Sequence, residues 1–405
     1  MKFLPHQEIA AHNLAEIFKR TGVAYLAGEP RSGKTATALK MVELVGAKNV
    51  LCLTKKNAIG GWKKEMSRVG IEIAMVTNYE QAKKISAGFD AVILDEAHAL
   101  GKVGKINQRI KDVKKLVGKS PILLLSGTPV VETPLAIFHQ FCVSTKTPFR
   151  HRSFYDFFRE WGIARPVWVG GRAIESYKMC RPELVKEIGK YTVTITQADA
   201  GIKADLVQQR THSIRLGPTA RGVLNQARVE SGIDVDGTFV PFESHTALRS
   251  FIHQAEFGAY KMPDGKIAYF HTDLVHFLRG RFQMDSVEVM CHYHSTKFLI
   301  AEHFPKTPIY SSNAHSEGVD LSHHKNLIII GTDFSGAKHI QRIERQANIM
   351  REKQRMLHMI VTPDGISADV LAALTDKRDY NLSAFKKWSG SGERVDNPKT
   401  DSELA

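Results

Sequence analysis

The stretch Gly28-Glu29-Pro30-Arg31-Ser32-Gly33-Lys34-Thr35 constrains this chain more than any other. Its spacing, Gly-x-x-x-x-Gly-Lys-Thr, is that of a phosphate-binding loop. Such a loop needs a strand before it and a helix after it. Both flanks fit: Val23 to Ala27 is an apolar, β-like run, and Ala36 to Val45 reads as a helix. Successive backbone N–H groups in the loop point inward and hold phosphate oxygens. Lys34 reaches the outer phosphates, and the Thr35 hydroxyl ligates Mg²⁺. Gly28, Arg31, Ser32, Gly33, Lys34 and Thr35 are therefore the candidate nucleotide-binding residues. Upstream, Gln7 carries an amide that both donates and accepts, and can read an adenine edge.

Four more β-like runs follow: Asn49–Leu53, Ile71–Val76, Ala91–Leu94 and Pro121–Leu125. Helical stretches separate them, which implies a parallel sheet covered on both faces. Ligands of such sheets sit at the carboxyl ends of the strands, and each run ends in a polar cluster there. These clusters are Thr54-Lys55-Lys56, Thr77-Asn78-Tyr79, Asp95-Glu96-Ala97-His98 and Ser126-Gly127-Thr128-Pro129. Asp95 can hold Mg²⁺ through water opposite Thr35, and Glu96 can polarise the attacking water.

Taken in order, these motifs resemble superfamily 2 helicases and translocases of the DEAH-box kind. Leu4-Pro5-His6-Gln7, Trp62 and Thr77-Asn78-Tyr79-Glu80 resemble the Swi/Snf-like branch, including short phage-encoded members. The resemblance implies ATP with Mg²⁺ as ligands and Lys34, Asp95 and Glu96 as catalytic residues. It places Thr54, Lys55, Lys56 and Thr77 on the nucleic-acid backbone, with Lys55 standing where many relatives have proline. It makes His98, Ser126 and Thr128 the residues that couple nucleotide state to nucleic-acid contact.

In the second half, a β-like run at Val287–Met290 and another at Leu327–Gly331 flank Ser316-Glu317-Gly318-Val319-Asp320. Gln341-Arg342-Ile343-Glu344-Arg345 follows on an expected helix. These resemble motifs IV, V and VI of the same superfamily. The resemblance then puts Ser316 and Gly318 on nucleic acid, Glu317 and Asp320 in coupling, and Gln341 and Arg345 in catalysis. Asn348 stands where a second arginine is expected. Either Arg345 is the sole arginine finger, or Arg351 supplies the other guanidinium.

Lys plus Arg number 56 against 42 acidic residues, a net charge of +14. The excess fits either a solubility device or a polyanionic partner, most simply nucleic acid. Seven of these cations crowd Gly101–Lys119, which reads as a solvated helix face. Phe154, Phe157, Phe158 and Trp161 fall on one helical face and read as core, although arginines are interleaved. The cysteines Cys52, Cys142, Cys180 and Cys291 form no Cys-x-x-Cys pair, so a reducing compartment is expected and no zinc site is signalled. With no apolar run approaching 18 residues and no signal peptide pattern, the chain is expected in the cytoplasm, of a host if phage-encoded, away from membranes.

The expected architecture is α/β: two RecA-like parallel-sheet domains with an inter-domain ATP cleft. The boundaries read as 1–145 for the first domain, 146–210 for a linking aromatic and basic helical segment, 211–375 for the second domain, and 376–405 for a flexible tail. Asp236-Gly237 and Asp264-Gly265 mark turns. The expected partner is nucleic acid, DNA favoured and an RNA–DNA hybrid possible, with a monomer sufficient. A double-stranded-DNA translocase that does not unwind long duplexes, and a non-motor phosphate-loop kinase or switch, are the rival readings.

Overall fold

A computed structural model describes residues 3–127, 129, 133–169, 172–202, 207–312, 325–336, 339, 343 and 354–376, with backbone alone for 167–169 and 172–174. The chain divides into two compact units. The first carries the described residues up to 202, and the second carries those from 207 onward.

The first unit runs α1 (Pro5–Thr21), β1 (Val23–Gly28), α2 (Lys34–Val45), β2 (Val50–Thr54), α3 (Ile59–Val69), β3 (Met75–Asn78), β4 (Ala91–Asp95), α4 (Gln108–Val117) and β5 (Ile122–Ser126). It continues through α5 (Ile137–Phe141), α6 (Phe154–Trp161), the strands β6 (Arg165–Val169) and β7 (Arg172–Ser176), α7 (Pro182–Gly189) and β8 (Thr192–Ile195). Six of these strands form one sheet in the order β3-β2-β4-β5-β1-β8, parallel throughout.

Its central strands are buried at every position of β2, β4 and β5. Period-two alternation sends their side chains to two separate cores. Tyr25, Leu53, Leu94 and Leu124 face one layer with α4, α5, α6 and α7. Leu26, Cys52, Ile93 and Leu125 face the other with α1, α2 and α3. Burying each such aliphatic side chain stabilises by about 1.5–3 kcal/mol, so the sheet is fixed in register by both faces. Opposite Ala27 in that register lies Ser126, and Leu53 lies opposite both Leu94 and Thr77. The phosphate loop and all four polar clusters thus emerge at one edge.

Residues 146–202 are not a linker. Phe154, Phe157 and Phe158 pack into the first unit's core, as their helical spacing implies. The hairpin of β6 and β7 follows, and β8 pairs in parallel with β1. The first unit therefore extends well beyond residue 145. The third β-like run also shifts: the strand is Met75–Asn78, while Ile71 and Ile73 are core residues of the loop before it.

The second unit runs β9 (Val207–Ser213), α8 (Pro218–Glu230), β10 (Gly232–Val235), β11 (Thr238–Pro241), α9 (His245–Ala255), β12 (Ala259–Lys261) and β13 (Ile267–Tyr269). Then come α10 (Asp273–Arg281), β14 (Glu288–Cys291), α11 (His294–His303), β15 (Ile309–Ser311), β16 (Asn326–Ile330), β17 (Arg355–Val361) and α12 (Ser367–Thr375). Its sheet is again parallel, in the order β15-β14-β16-β17-β9. β9 begins at residue 207, ahead of the expected start at 211. Both Asp-Gly pairs close antiparallel hairpins. At the first, Asp236 and Gly237 take φ 50° and 77°, the positive pair that a two-residue turn between twisted strands requires.

All four cysteines are free thiols, Cys52 and Cys291 fully enclosed. Among the described residues no helix is long and apolar enough to cross a membrane, and no cluster of His, Cys, Asp and Glu forms a metal cage.

Candidate nucleotide site

Between β1 and α2 the chain makes a tight loop whose shape depends on two glycines. Gly33, at φ 88°, opens α2 in a left-handed conformation. A Cβ there would fall 2.2 Å from Gln7 Nε2, so only glycine lets α1 approach this closely. A Cβ on Gly28 would lie 2.6 Å from Lys34 Cγ and 2.9 Å from Ser32 Oγ. The loop is also pinned from outside. His6 Nε2 lies 3.0 Å from the Ser32 carbonyl oxygen. Gln197, just past β8, donates its backbone N–H to Glu29 Oε2 at 2.5 Å and its amide to the Pro30 carbonyl at 3.1 Å. Glu29 and Gln197 carry no motif signal. Their contact joins positions 168 residues apart, and only the placement of β8 beside β1 reveals it.

Lys34 Nζ donates to the carbonyls of Gly28 at 2.7 Å and Glu29 at 3.2 Å, so its ammonium spans the loop. Thr35 is half-buried on the first turn of α2, and Arg31, also half-buried, takes φ 65°. Ser32 is buried. Gln7 is buried as well, and its Oε1 accepts the Leu4 N–H at 3.0 Å. This fixes the glutamine amide with its nitrogen toward the loop.

Across the sheet, the Asp95 carboxylate is held on three sides. Its Oδ2 accepts from Thr54 Oγ1 at 2.7 Å and from the Trp62 indole N–H at 2.9 Å. Its Oδ1 accepts the Glu96 N–H at 2.9 Å, and the Tyr79 hydroxyl donates to its backbone carbonyl at 2.7 Å. Burial pushes the Asp95 carboxyl above its ordinary range and the Glu96 charge adds to this, while the Trp62 and Thr54 hydrogen bonds and the Lys34 charge oppose them. Glu96 itself takes φ 52°, an uncommon conformation for a residue with a side chain. His98 Nδ1 lies 3.2 Å from Glu96 Oε2 and 3.0 Å from Ser126 Oγ. The ends of β4 and β5 are thereby joined through one imidazole. Gln140 on α5 accepts from the Tyr25 hydroxyl at 2.7 Å and donates to the Pro129 carbonyl at 3.0 Å. A Cβ on Gly127 would come within 3.6 Å of Lys34 Nζ, so the loop after β5 abuts the phosphate loop.

Lys34, Asp95, Glu96, His98 and Ser126 thus share one end of one sheet with the phosphate loop. Thr54 is placed differently from expectation. It is fully buried and its hydroxyl is given to Asp95, so its side chain does not face solvent where a nucleic-acid backbone would lie. Lys56 is exposed, with Lys55 and Thr77 half-exposed, at the neighbouring strand ends. Lys55 has φ −74°, within the range a proline ring would impose, so the loop keeps a proline-like shape without the ring. Thr128, Ser316, Glu317, Gly318, Asp320, Gln341, Arg345 and Arg351 lie outside the described residues.

No family model matches the chain, and no curated protein matches it. Among solved structures it is similar to the Hef helicase domain of Pyrococcus furiosus, at 12% identity over 91% of this chain and 97% of that one, with a TM-score of 0.49. It is also similar to the SWI2/SNF2 ATPase core of Sulfolobus solfataricus in complex with dsDNA. That match has 14% identity over 96% of this chain and 93% of that one, with a TM-score of 0.41. Strand order and register define the two parallel α/β units.

Proposed function

We propose that this chain is an ATP-dependent nucleic-acid motor of the superfamily 2 kind, which acts on DNA and couples ATP hydrolysis to movement along a strand. The observation that supports this reading is the convergence at one sheet edge of the phosphate loop, the clamped Asp95, and Glu96 joined through His98 to Ser126. A kinase or switch needs the loop and an acid. The imidazole that joins the second acid to the next strand is what a coupled motor adds.

The residues fit a nucleoside triphosphate with Mg²⁺. A Cβ at Gly28 or Gly33 would press on Lys34, Ser32 or Gln7, so the two glycines keep the loop compact around the residues proposed to bind nucleotide. Lys34 offers a cation held over two loop carbonyls. Thr35 and Asp95 supply oxygen donors suited to a hard cation. Held there, Mg²⁺ would supply positive charge against the negativity that develops on the phosphates. Lys34 moves from the loop carbonyls to the outer phosphates, and the backbone N–H groups orient them. Glu96 takes the proton of the attacking water, and its left-handed backbone sets the carboxylate apart from Asp95. His98 then reports the charge of Glu96 to Ser126 on β5. Gln7 orients adenine through its amide nitrogen. Lys55, Lys56 and Thr77 hold nucleic-acid phosphates, and Ser316 and Gly318 do so from the second unit, with Glu317 and Asp320 in coupling. Gln341 and Arg345 bring a guanidinium to the γ-phosphate.

The test is ATP turnover measured alone and with single-stranded, duplex, forked, three-stranded and RNA–DNA hybrid substrates. Stimulation by DNA is expected, largest on branched forms. Turnover indifferent to every nucleic acid would overturn the motor reading. Stimulation by plain duplex without strand displacement would identify a translocase that does not unwind.

A further inference from the structure

Four acceptor positions are available on an ionised carboxylate. On Asp95, Thr54 and Trp62 fill both positions of Oδ2, and the Glu96 N–H fills one of Oδ1. One position on Oδ1 remains. The side chain is about nine-tenths enclosed, so an unheld carboxylate here would rotate between orientations, each poorly solvated.

The two donors come from different elements. Thr54 closes β2, the strand beside β4 in the sheet. Trp62 lies on α3, 2% exposed, with its ring in the core formed by α1, α2 and α3. Neither needs a polar group there for packing. Valine has nearly the shape of threonine, and phenylalanine would fill much of the indole's space. An indole N–H in an apolar layer needs an acceptor, and the carboxylate supplies it. Both donors point at the same oxygen, which fixes χ1 and χ2 of Asp95 together.

We infer that Thr54 and Trp62 are positioning residues that clamp Asp95 Oδ2 so that the open site on Oδ1 is presented to the hydrated cation of the nucleotide. The inference rests on the proposed ATPase reading, and it assigns Thr54 to the nucleotide site instead of the nucleic-acid backbone. Groups that orient a metal-holding ligand typically change metal affinity about 10–100-fold when removed.

The experiment compares wild type with Thr54→Val, Thr54→Ser and Trp62→Phe. Binding of a fluorescent non-hydrolysable ATP analogue is titrated with Mg²⁺ and repeated in EDTA. Single-stranded DNA affinity is measured without nucleotide. For Thr54→Val and Trp62→Phe, half-saturating Mg²⁺ should rise about 10–100-fold, while analogue affinity in EDTA stays at the wild-type value because the phosphate loop is untouched. Thr54→Ser should restore the wild-type Mg²⁺ requirement. DNA affinity of Thr54→Val should equal that of wild type. The inference is overturned if folded Thr54→Val and Trp62→Phe both keep the wild-type Mg²⁺ requirement. It is equally overturned if Thr54→Val loses DNA affinity with its Mg²⁺ requirement unchanged. Should wild type itself bind the analogue without any Mg²⁺ effect, the ATPase reading fails first and takes the clamp with it.

Discussion

The two units are built on the same scaffold and use it in opposite ways. In each, a parallel sheet is finished by a strand that stands apart in sequence. β8 lies beside β1 in the first unit, and β9 lies beside β17 in the second. At the carboxyl ends of the first sheet, charged groups are gathered: Asp95 is held by three donors, Lys34 by two carbonyls, and Glu96 lies 3.2 Å from His98. The described part of the second sheet puts a buried charge pair at the opposite edge. Its buried ion pair, Arg355 with Glu288 at 2.6 Å, opens β17 and β14 at their amino ends. Near the carboxyl end of β14 lies an enclosed polar group instead. His253 Nδ1 is 2.9 Å from the Tyr293 hydroxyl, and the Glu256 carboxylate accepts the N–H groups of Ile366 and Ser367 at the start of α12. The contrast teaches that a parallel sheet offers an edge for chemistry without requiring it. Among the described residues, the first sheet gathers Lys34, Asp95 and Glu96 at that edge, and the second uses the Glu256 carboxylate there to hold the start of α12.

If the second unit contributes to catalysis, it does so through residues outside this buried group. Arg345→Ala should lower nucleic-acid-stimulated turnover by about 10³–10⁵ with ATP still bound, and Arg351→Ala should do much less. The reverse order would move the finger to Arg351 and redraw what the second unit supplies. In the first unit, Glu96→Gln keeps shape and loses the base, so turnover should fall by about 10²–10⁴ with nucleotide binding retained. Loss of binding as well would make Glu96 structural and weaken the contrast between the two edges.

Acid should act on the second unit through its buried histidines. Burial, then the positive charges of His292 and Arg249, pushes His253 down to about 3, and His358 falls to about 4, burial again leading. Below pH 6.5 the unfolded chain protonates these histidines and the folded second unit does not, so its stability falls with pH. For fully buried His253 the loss at pH 5 is about 2 kcal/mol. Asp95 in the first unit and Glu256 in the second run the other way, since a carboxyl raised in the folded state contributes stability that rising pH removes. Buried His139 makes the first unit lose stability in acid as well. Hydrogen exchange of the second unit from pH 7 to 5, corrected for intrinsic rates, should show a smaller fall in protection for His253→Gln than for wild type. An equal fall in the two proteins would contradict this. A smaller effect is expected at Lys55 and Lys56. Alanine at either should reduce the salt slope of DNA binding by roughly 0.7–0.9 with sequence preference unchanged, and an unaltered slope would remove them from the interface.

Much of this was legible in the sequence for a physical reason. Central parallel strands must be apolar throughout, so Val50–Leu53, Ala91–Leu94 and Ile122–Leu125 announce themselves, and their polar endings mark the site edge. The outer strands give no such signal. β9 reads Val-Gln-Gln-Arg-Thr-His-Ser and is largely exposed, and β8 is half-exposed, so the boundary between units was misplaced. The side-chain direction of Thr54 is not legible, because one residue at a strand end can turn to solvent or to its neighbour. Only the register that sets β2 beside β4 decides that it meets Asp95.

The central claim is that the loop at Gly28–Thr35 binds and activates ATP for a nucleic-acid motor. ATP turnover by Lys34→Ala, with and without DNA, tests it most directly. The lysine offers charge where phosphate negativity develops, so its loss should lower turnover by about 10²–10³ or more and abolish DNA stimulation, while thermal unfolding stays that of wild type. Near-wild-type turnover in a folded Lys34→Ala protein would contradict the account.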